Sequence, residues 1–589
     1  MKISGLDWTL VVIYFLLALS VGVYFAKRGG ANIIEYFTSG RSLPWWLAGT
    51  SMVATTFAAD TPLAVTELVA NHGIAGNWLW WNMVMSGLLT VFLFARLWRR
   101  AEVLTDVEFT ELRYSGKPAA ILRGFRAIYL ALPINLIILG WVTLAMVKII
   151  ELSIGVDKWI AVGICVLVTL IYSGLSGLWG VVVTDFLQFI IAMVGSITLA
   201  VFAVNAVGGI GGLKESLAAI YGPDLEVLSF APKIGSVWMP VTAFFVYLAV
   251  NWWASWYPGA EPGGGGYVAQ RMFSTKDERH SVLATLWFNI ANYALRPWPW
   301  ILVALASLVL YPGIEDKQTG YILVLLNHLP SGFKGLLLAS FAAAFMSTVS
   351  TQLNWGSSYI INDFYKRFIK KNASPRHYVR AARWTTVGIV LAGAFVTSRM
   401  ESIAGAWKFL LALGAGTGAV YILRWFWWRI NAWSEISAMI ASFVVSIFLQ
   451  FVLGMDTSNA EVFARVMLIT VTISSIVWIT VTLLTQPESE DTLIRFYRKV
   501  RPGGNLWKPI ASKAPNVKTD KGFSWDFLDW VFGIILIYSS LFGVGKIILR
   551  DFKMGFILLV ISIICFLIIR WDLNRRDWSV LKENDSTLR

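Results

Sequence analysis

Between Gly335 and Tyr365 the chain reads GLLLASFAAAFMSTVSTQLNWGSSYIINDFY, a stretch long enough to cross a bilayer. Its middle carries Ser347, Thr348, Ser350 and Thr351, preceded by the small run Ala342, Ala343 and Ala344. At i, i+3 and i+4 spacing, Ser347, Ser350 and Thr351 share one helical face. Such a stripe has two uses in a membrane helix. It lets helices pack closely, or it offers neutral oxygens to a hard cation, whose ligands must be oxygens but not necessarily charged. This segment alone leaves both open. Two acids lie inside other apolar stretches: Asp60 near the middle of one, and Asp185 about six residues into another, roughly 9 Å deep at 1.5 Å per residue. An acid in the membrane needs a partner or a water-filled path. Asp60 reads as a solute or gate contact, and Asp185 as a cation ligand or as a bond to a neighbouring helix end. Glu67 reads as a solvated rim residue. Arg296, in Asn292-Tyr293-Ala294-Leu295-Arg296-Pro297, could take a solute carboxylate bidentately, pair with Asp60 or Glu67, or snorkel outward.

These groups need a scaffold. The 589 residues are 57% hydrophobic and only 14% charged, with mean hydropathy +0.65. That composition excludes a soluble globular class and predicts an all-α polytopic membrane protein of about fifteen spans, with the lipid bilayer as its medium. The net charge of +14 is a topology signal and not a nucleic-acid footprint. Most Lys and Arg fall in alternate loops, which puts the N-terminus outside and the C-terminus inside. Cys165 and Cys565 both lie in apolar runs, so no disulfide framework is expected. The four histidines show no metal-ligand spacing. The first span, without a basic region or cleavage site, reads as a retained helix. Most of the 30 tryptophans read as interfacial belt residues.

Two spans look interrupted. The second carries Thr55, Thr56, Asp60, Thr61 and Pro62 at mid-depth. The seventh has Asn251, Trp252, Trp253 and Ser255 and runs into Pro258 and Gly259. Broken spans at corresponding positions five helices apart point to a transporter built from inverted repeats. The glycines from Gly263 to Gly266, after Gly259-Ala260-Glu261-Pro262, lack the Gly-Lys-Ser/Thr ending of a phosphate loop and read as a flexible inner hinge. A membrane enzyme would need a nucleophile–base pair or metal cluster at one depth, and the sequence offers neither. A channel would need a continuous polar pore.

Four segments together resemble the sodium:solute symporter family, whose members carry sugars, proline, pantothenate or sialic acid. They are Gly40-Arg41-Ser42-Leu43-Pro44 with the stretch Gly49 to Ala59; Tyr172-Ser173-Gly174 and Gly177-Leu178-Trp179 with Thr184-Asp185-Phe186-Leu187-Gln188; Gln270-Arg271; and Ala343 to Ser350 with Asn362-Asp363-Phe364-Tyr365. The resemblance runs from about residue 5 to 455. It implies a LeuT-type fold of two inverted five-helix repeats, with one extra N-terminal helix and about four extra C-terminal helices. The expected divisions are 1–30 for the extra helix, 40–210 and 235–431 for the repeats and 432–485 for two peripheral helices. They continue with 486–523 as a cytoplasmic linker, amphipathic or flexible, and 524–589 as a terminal hairpin and tail.

By resemblance, a first sodium site joins the carbonyls of Ala54, Phe57 and Ala344 to the hydroxyls of Ser347 and Thr348. A second joins Asp185 to Ser347, Ser350 and Thr351. Solute contacts carry over to Thr56, Asp60, Thr61, Trp80, Asn82, Asn135, Asn251 and Arg296. The implied function is sodium-coupled symport of a small organic solute (sugar, amino acid or carboxylate) by alternating access. Two sodium ions per cycle are expected, with no organic cofactor and no obligate protein partner, in the plasma (bacterial inner) membrane. A proton-coupled or uncoupled transporter on the same fold is the alternative.

Overall fold

Every regular element along the described residues is helical. The computed structural model describes residues 3–29, 33–173, 178–255, 259–400, 403–519 and 523–578. Gly174 and Gly177 of the second motif, the expected break at Pro258, and the tail beyond 578 lie outside these residues.

The principal helices run α1 Gly5–Gly29, α2 Trp45–Thr56, α3 Asp60–His72, α4 Ile74–Ala101, α5 Gly116–Ile154, α6 Lys158–Ser173 and α7 Leu178–Ala206. They continue with α8 Val241–Ala254, α9 Gly266–Ser274, α10 Glu278–Leu310, α11 Phe333–Ile369, α12 Pro375–Arg399, α13 Ile403–Gly414 and α14 Gly418–Phe426. The last are α15 Ala432–Val452, α16 Ala460–Leu484, α17 Glu490–Val500, α18 Phe523–Ile548 and α19 Phe552–Arg575. Among the described residues ten helices are long and apolar enough to cross a membrane, or eleven if Gly405–Gly414 and Gly418–Phe426, bent by 46°, are one span. The other expected spans fall on shorter apolar helices (within α1, α6 and α8) and on the interrupted pair α2–α3.

The break after α2 follows from its composition. Thr55 and Thr56 turn their hydroxyls back onto carbonyls of Ser51, Met52 and Val53, which weakens a helix end. Asp60 then opens α3, where a helix N-terminus favours an acid, and Pro62 costs nothing in a first turn whose N–H groups are unpaired anyway. The hydroxyl-bearing α11 is the most enclosed long helix and packs on α1, α2, α5, α7 and α12. Asp7 pins α1 to the start of α11: its Oδ1 accepts the N–H groups of Gly332 at 2.7 Å and Gly335 at 2.8 Å.

Several long helices contain a π-turn. One is Leu130–Ile134, around Pro133; others are Tyr247–Asn251 and Ala291–Leu295. The C-terminal hairpin α18–α19 packs α18 against α4 and the middle of α10. Trp530 donates to the Met85 carbonyl, Tyr538 to that of Trp81, and Trp298 to that of Leu541, each at 2.9 Å. In the expected linker, α17 is amphipathic and buries Leu493, Phe496, Tyr497 and Val500.

The glycine-rich stretch, expected as a flexible inner hinge, is enclosed by its neighbours. Residues 259 to 266 are all buried. Without side chains the backbone threads between large neighbours: a Cβ on Gly264, whose φ is +75°, would stand 2.8 Å from the Trp98 indole nitrogen.

Buried and half-buried ion pairs tie the basic end together. Arg123 reaches Asp363 at 2.7 Å and Glu111 at 2.5 Å, and Arg367 reaches Glu111 at 3.0 Å. Arg126 and Arg424 both reach Glu435. Burial alone would raise the Glu111 carboxyl, but the bonds from Arg367 and Arg123 outweigh it and hold it below its usual range. A carboxylate depressed by folding adds stability above its unfolded value, and that stability is lost as pH falls through the folded one. Wild-type thermal stability should therefore drop toward that of Glu111→Gln below about pH 4.5. Melting curves across that range test this, and a constant gap between the two proteins would refute it.

Candidate functional site

The gap between α2 and α3 opens into a cavity lined from both sides of the break. Thr55, Thr56, Ala58, Asp60 and Thr61 come from the broken pair, and Asn292, Tyr293 and Arg296 from the π-turn of α10 and just beyond it. Thr348 and Gln352, one turn apart, come from α11; Trp80, Trp141, Tyr267, Phe288 and Trp407 supply aromatic wall. Its volume is about 110 Å³, below the roughly 300–1,000 Å³ of drug-sized pockets, so it suits a small solute.

Five of the expected solute residues therefore meet on one cavity: Thr56, Asp60, Thr61, Trp80 and Arg296. The other three do not line it. Asn251 donates to the Asn82 side chain at 3.1 Å, and Asn82 donates to the carbonyls of Trp78 and Leu79, so this pair joins α8 to α4. Asn135 donates to the Gln352 carbonyl at 3.0 Å and joins α5 to α11. Both Asn251 and Asn135 sit at the end of a π-turn, where the inserted residue shifts the helical face.

Charge in the cavity is arranged asymmetrically. Arg296 is already engaged by protein: Nε donates to the Asn292 carbonyl at 3.1 Å, Nη1 to the Thr56 hydroxyl at 3.2 Å, and the guanidinium lies 5.2 Å from the Trp300 ring centroid. Asp60, 2% exposed, has one oxygen, Oδ1, with no hydrogen-bond partner among the described residues. The side-chain oxygen of Gln352 is likewise unpartnered. The cavity thus presents two unpartnered acceptor oxygens, with the Trp407 side chain also bonded to the Asp60 carboxylate, and Trp80 stacks on Tyr293 at 5.6 Å to give it a flat apolar face.

Beside the cavity lie the proposed ion ligands. The Thr348 hydroxyl is 2.8 Å from the Thr55 carbonyl and 3.1 Å from that of Ala344, spanning the gap between α2 and α11. The Ala54 carbonyl accepts the Phe57 N–H at 3.1 Å at the broken end itself. Ser347 turns the other way and donates to Asp185 at 2.6 Å. The opposite carboxylate oxygen accepts from Ser51 at 2.5 Å. Ser350 donates to the Ser347 carbonyl, and Thr351 accepts from Arg271 at 2.8 Å.

Two members of this second cluster carried no role in the sequence reading. Arg271, fully buried, lies 3.6 Å from the Asp185 carboxylate and donates to Ser51 and Gln270. A buried arginine has to find an anion, but the burial of Gln270-Arg271 shows only in the structure. Ser51 lies four residues before Thr55 on the same face of α2, and Thr55 meets Thr351 at 3.2 Å. Asn292 and Gln352 carried a similar signal, at i, i+4 spacing from Arg296 and Thr348.

Residues 36–442 match the family model described as the sodium:solute symporter family. Among curated proteins, the chain is 25% identical to the sodium/glucose cotransporter 1 of Oryctolagus cuniculus over 581 residues, covering 88% of this chain and 83% of that one. It is 23% identical to the sodium/glucose cotransporter of Vibrio parahaemolyticus, covering 76% and 86%. Among solved structures, a substrate-bound, outward-open Na+-coupled sialic acid symporter superposes with a TM-score of 0.67 at 21% identity, covering 82% of this chain and 99% of that one. That likeness establishes a LeuT-like fold.

Proposed function

The chain belongs to the sodium:solute symporter family, and we propose that its cargo is a small, neutral, hydroxyl-rich solute of the sugar class, moved inward with two sodium ions per cycle. It is a multi-pass integral membrane transporter and not an enzyme, and sodium is its coupling ion. The observation that carries the solute class is a pair of open acceptors: Asp60 Oδ1 and the Gln352 oxygen lack partners among the described residues, while Arg296 is held by Asn292, Thr56 and Trp300. Buried acceptors need donors, which hydroxyls or amines supply and a carboxylate does not. The stacked Trp80–Tyr293 face suits the apolar side of a sugar ring. The sodium/glucose cotransporters among its relatives agree with that chemistry.

In this reading the first ion lies among the Thr348 and Ser347 hydroxyls and the carbonyls of Ala54, Phe57 and Ala344. Neutral oxygens there can release the ion again, as a cycle requires. The second lies at Asp185, Ser347, Ser350 and Thr351, next to Arg271. The N-terminus is outside, the basic end is cytoplasmic, and the two five-helix repeats rock about the cavity. At about −100 mV each inward charge contributes about 2.3 kcal/mol, and a tenfold gradient adds about 1.4. Two ions then supply roughly 7 kcal/mol, enough for about 10⁵-fold accumulation of a neutral solute.

The test is thermal stability of the purified protein with pools of neutral sugars, amino acids and carboxylates, in sodium or in potassium. Stabilisation by the sugar pool in sodium alone is the expected result. Stabilisation by amino acids or carboxylates would overturn the solute class, and equal stabilisation in potassium would favour the proton-coupled or uncoupled alternative.

A further inference from the structure

The buried glycine-rich loop carries an acid that neither the solute cavity nor the sodium ligands use. Gly259 and Ala260 line the cavity, and Glu261 follows them in the chain. Glu261 is 3% exposed. Its Oε2 accepts the Gly259 N–H at 3.1 Å, and its Oε1 has no hydrogen-bond partner among the described residues. A second buried acid stands alongside. Asp106 accepts the Gly266 N–H at 3.1 Å and the Tyr359 hydroxyl. A Cβ on Gly265 would lie 3.3 Å from Glu261 Cβ and 3.5 Å from Asp106 Oδ2, so both acids flank one residue.

Among the described residues, the groups packed around the pair do not supply Glu261 with a cation. Tyr267 follows on the same chain segment, Tyr359 and Trp355 face it from α11, Trp98 from α4, and Tyr421 from α14. Arg126, on α5, acts on Asp106 and is itself bonded to Glu435 at 2.8 Å. A buried, unpaired carboxylate beside a second one is too costly to keep ionised, so something positive must join it. A sodium ion would need a cage of oxygens. Three of the loop's carbonyls are already engaged by protein donors: Ala260 accepts from Ser86, Glu261 from the Gly264 N–H, and Gly263 from Trp98. A proton needs one oxygen only.

We propose that Glu261 is a proton-binding site, loaded while the loop is closed over the cavity and emptied to water when the loop opens toward the basic end. The proton adds to Oε1 and leaves from it, and no other bond changes. Closing and proton binding then favour each other, so acid on that side holds the loop shut and alkali lets it open. This goes beyond sodium coupling and rests on the same transport reading only for the direction of opening.

The experiment needs neither sodium nor solute, so its failure is separable from failure of the symport reading. Infrared difference spectra of the full-length protein across a pH series should show a protonated-carboxyl carbonyl band that titrates, and Glu261→Gln should lose it. In inside-out vesicles, Ala260→Cys should be labelled by a small methanethiosulfonate, against a background of two buried native cysteines. Dividing its rate by that of the same cysteine in Glu261→Gln cancels the thiol's own ionisation. This ratio should rise with pH by up to about tenfold per unit through the transition. A band that survives Glu261→Gln, or a ratio flat with pH, overturns the proposal. Asp106→Asn keeps the acid and removes its neighbour, so the band's titration should move to lower pH. An unmoved titration in Asp106→Asn would equally refute the pairing.

Discussion

Thr348→Ala is expected to weaken sodium activation at least tenfold while leaving the fold intact. The Thr348 hydroxyl is the side-chain oxygen that spans the gap between α2 and α11, 2.8 Å from one helix's terminal turn and 3.1 Å from the other's carbonyl. In the proposed first site its removal leaves main-chain carbonyls and Ser347, whose hydroxyl is turned to Asp185. Tenfold is about 1.4 kcal/mol, a modest amount for losing one of a few ligands to a hard cation. Thr348→Ser keeps the oxygen and should retain most of the affinity. The readout is the sodium concentration giving half-maximal thermal stabilisation. An unchanged value in the alanine variant would move the ion elsewhere.

Asp185→Ala should be the most destabilising single change near the site. It would leave Arg271 buried without its carboxylate, and stranding one member of a buried pair costs about 3–5 kcal/mol. Removing both charges in Asp185→Asn with Arg271→Met should recover much of the loss, because the cost lies in the unpaired charge. Denaturation of the three proteins tests this; a double variant no more stable than Asp185→Ala would show that the pair matters for another reason. Stability and stoichiometry must be separated here. Ser350→Ala with Thr351→Ala leaves the ion pair standing, and should lower the coupling ratio from two sodium ions per solute to one in reconstituted vesicles. A ratio of two in that variant would remove the second ion from this cluster.

The helical class, the interruption between Thr56 and Asp60 and the enclosed hydroxyl helix were all legible, because each rests on local chemistry. Apolar runs have to become helices in lipid, and threonines followed by Asp60 and Pro62 have to end one. What the chain did not reveal was rotation. Each π-turn inserts a residue and swings the following face by about 100°. Asn135 and Asn251, at the ends of two such turns, bond neighbouring helices, whereas Asn292, inside a third, joins the cavity. The partner of Asp185 was hidden differently: Arg271 is distant in sequence, and only packing brings it to Ser51 and Thr351. The glycine run did not reveal its enclosure, because glycine permits both an exposed loop and a tightly enclosed backbone, and its neighbours decide which.

The hydrogen bonds from the C-terminal hairpin have a pharmacological consequence. Tyr538 holds the carbonyl of Trp81, adjacent to the cavity residue Trp80, and Trp298, one residue beyond Pro297 from Arg296, donates to Leu541. A hydrophobic compound lodged between α18 and the rest from the lipid side would pull on both cavity walls without touching the solute. Its inhibition would be noncompetitive, and resistance substitutions would accumulate along α18, far from any residue that binds cargo.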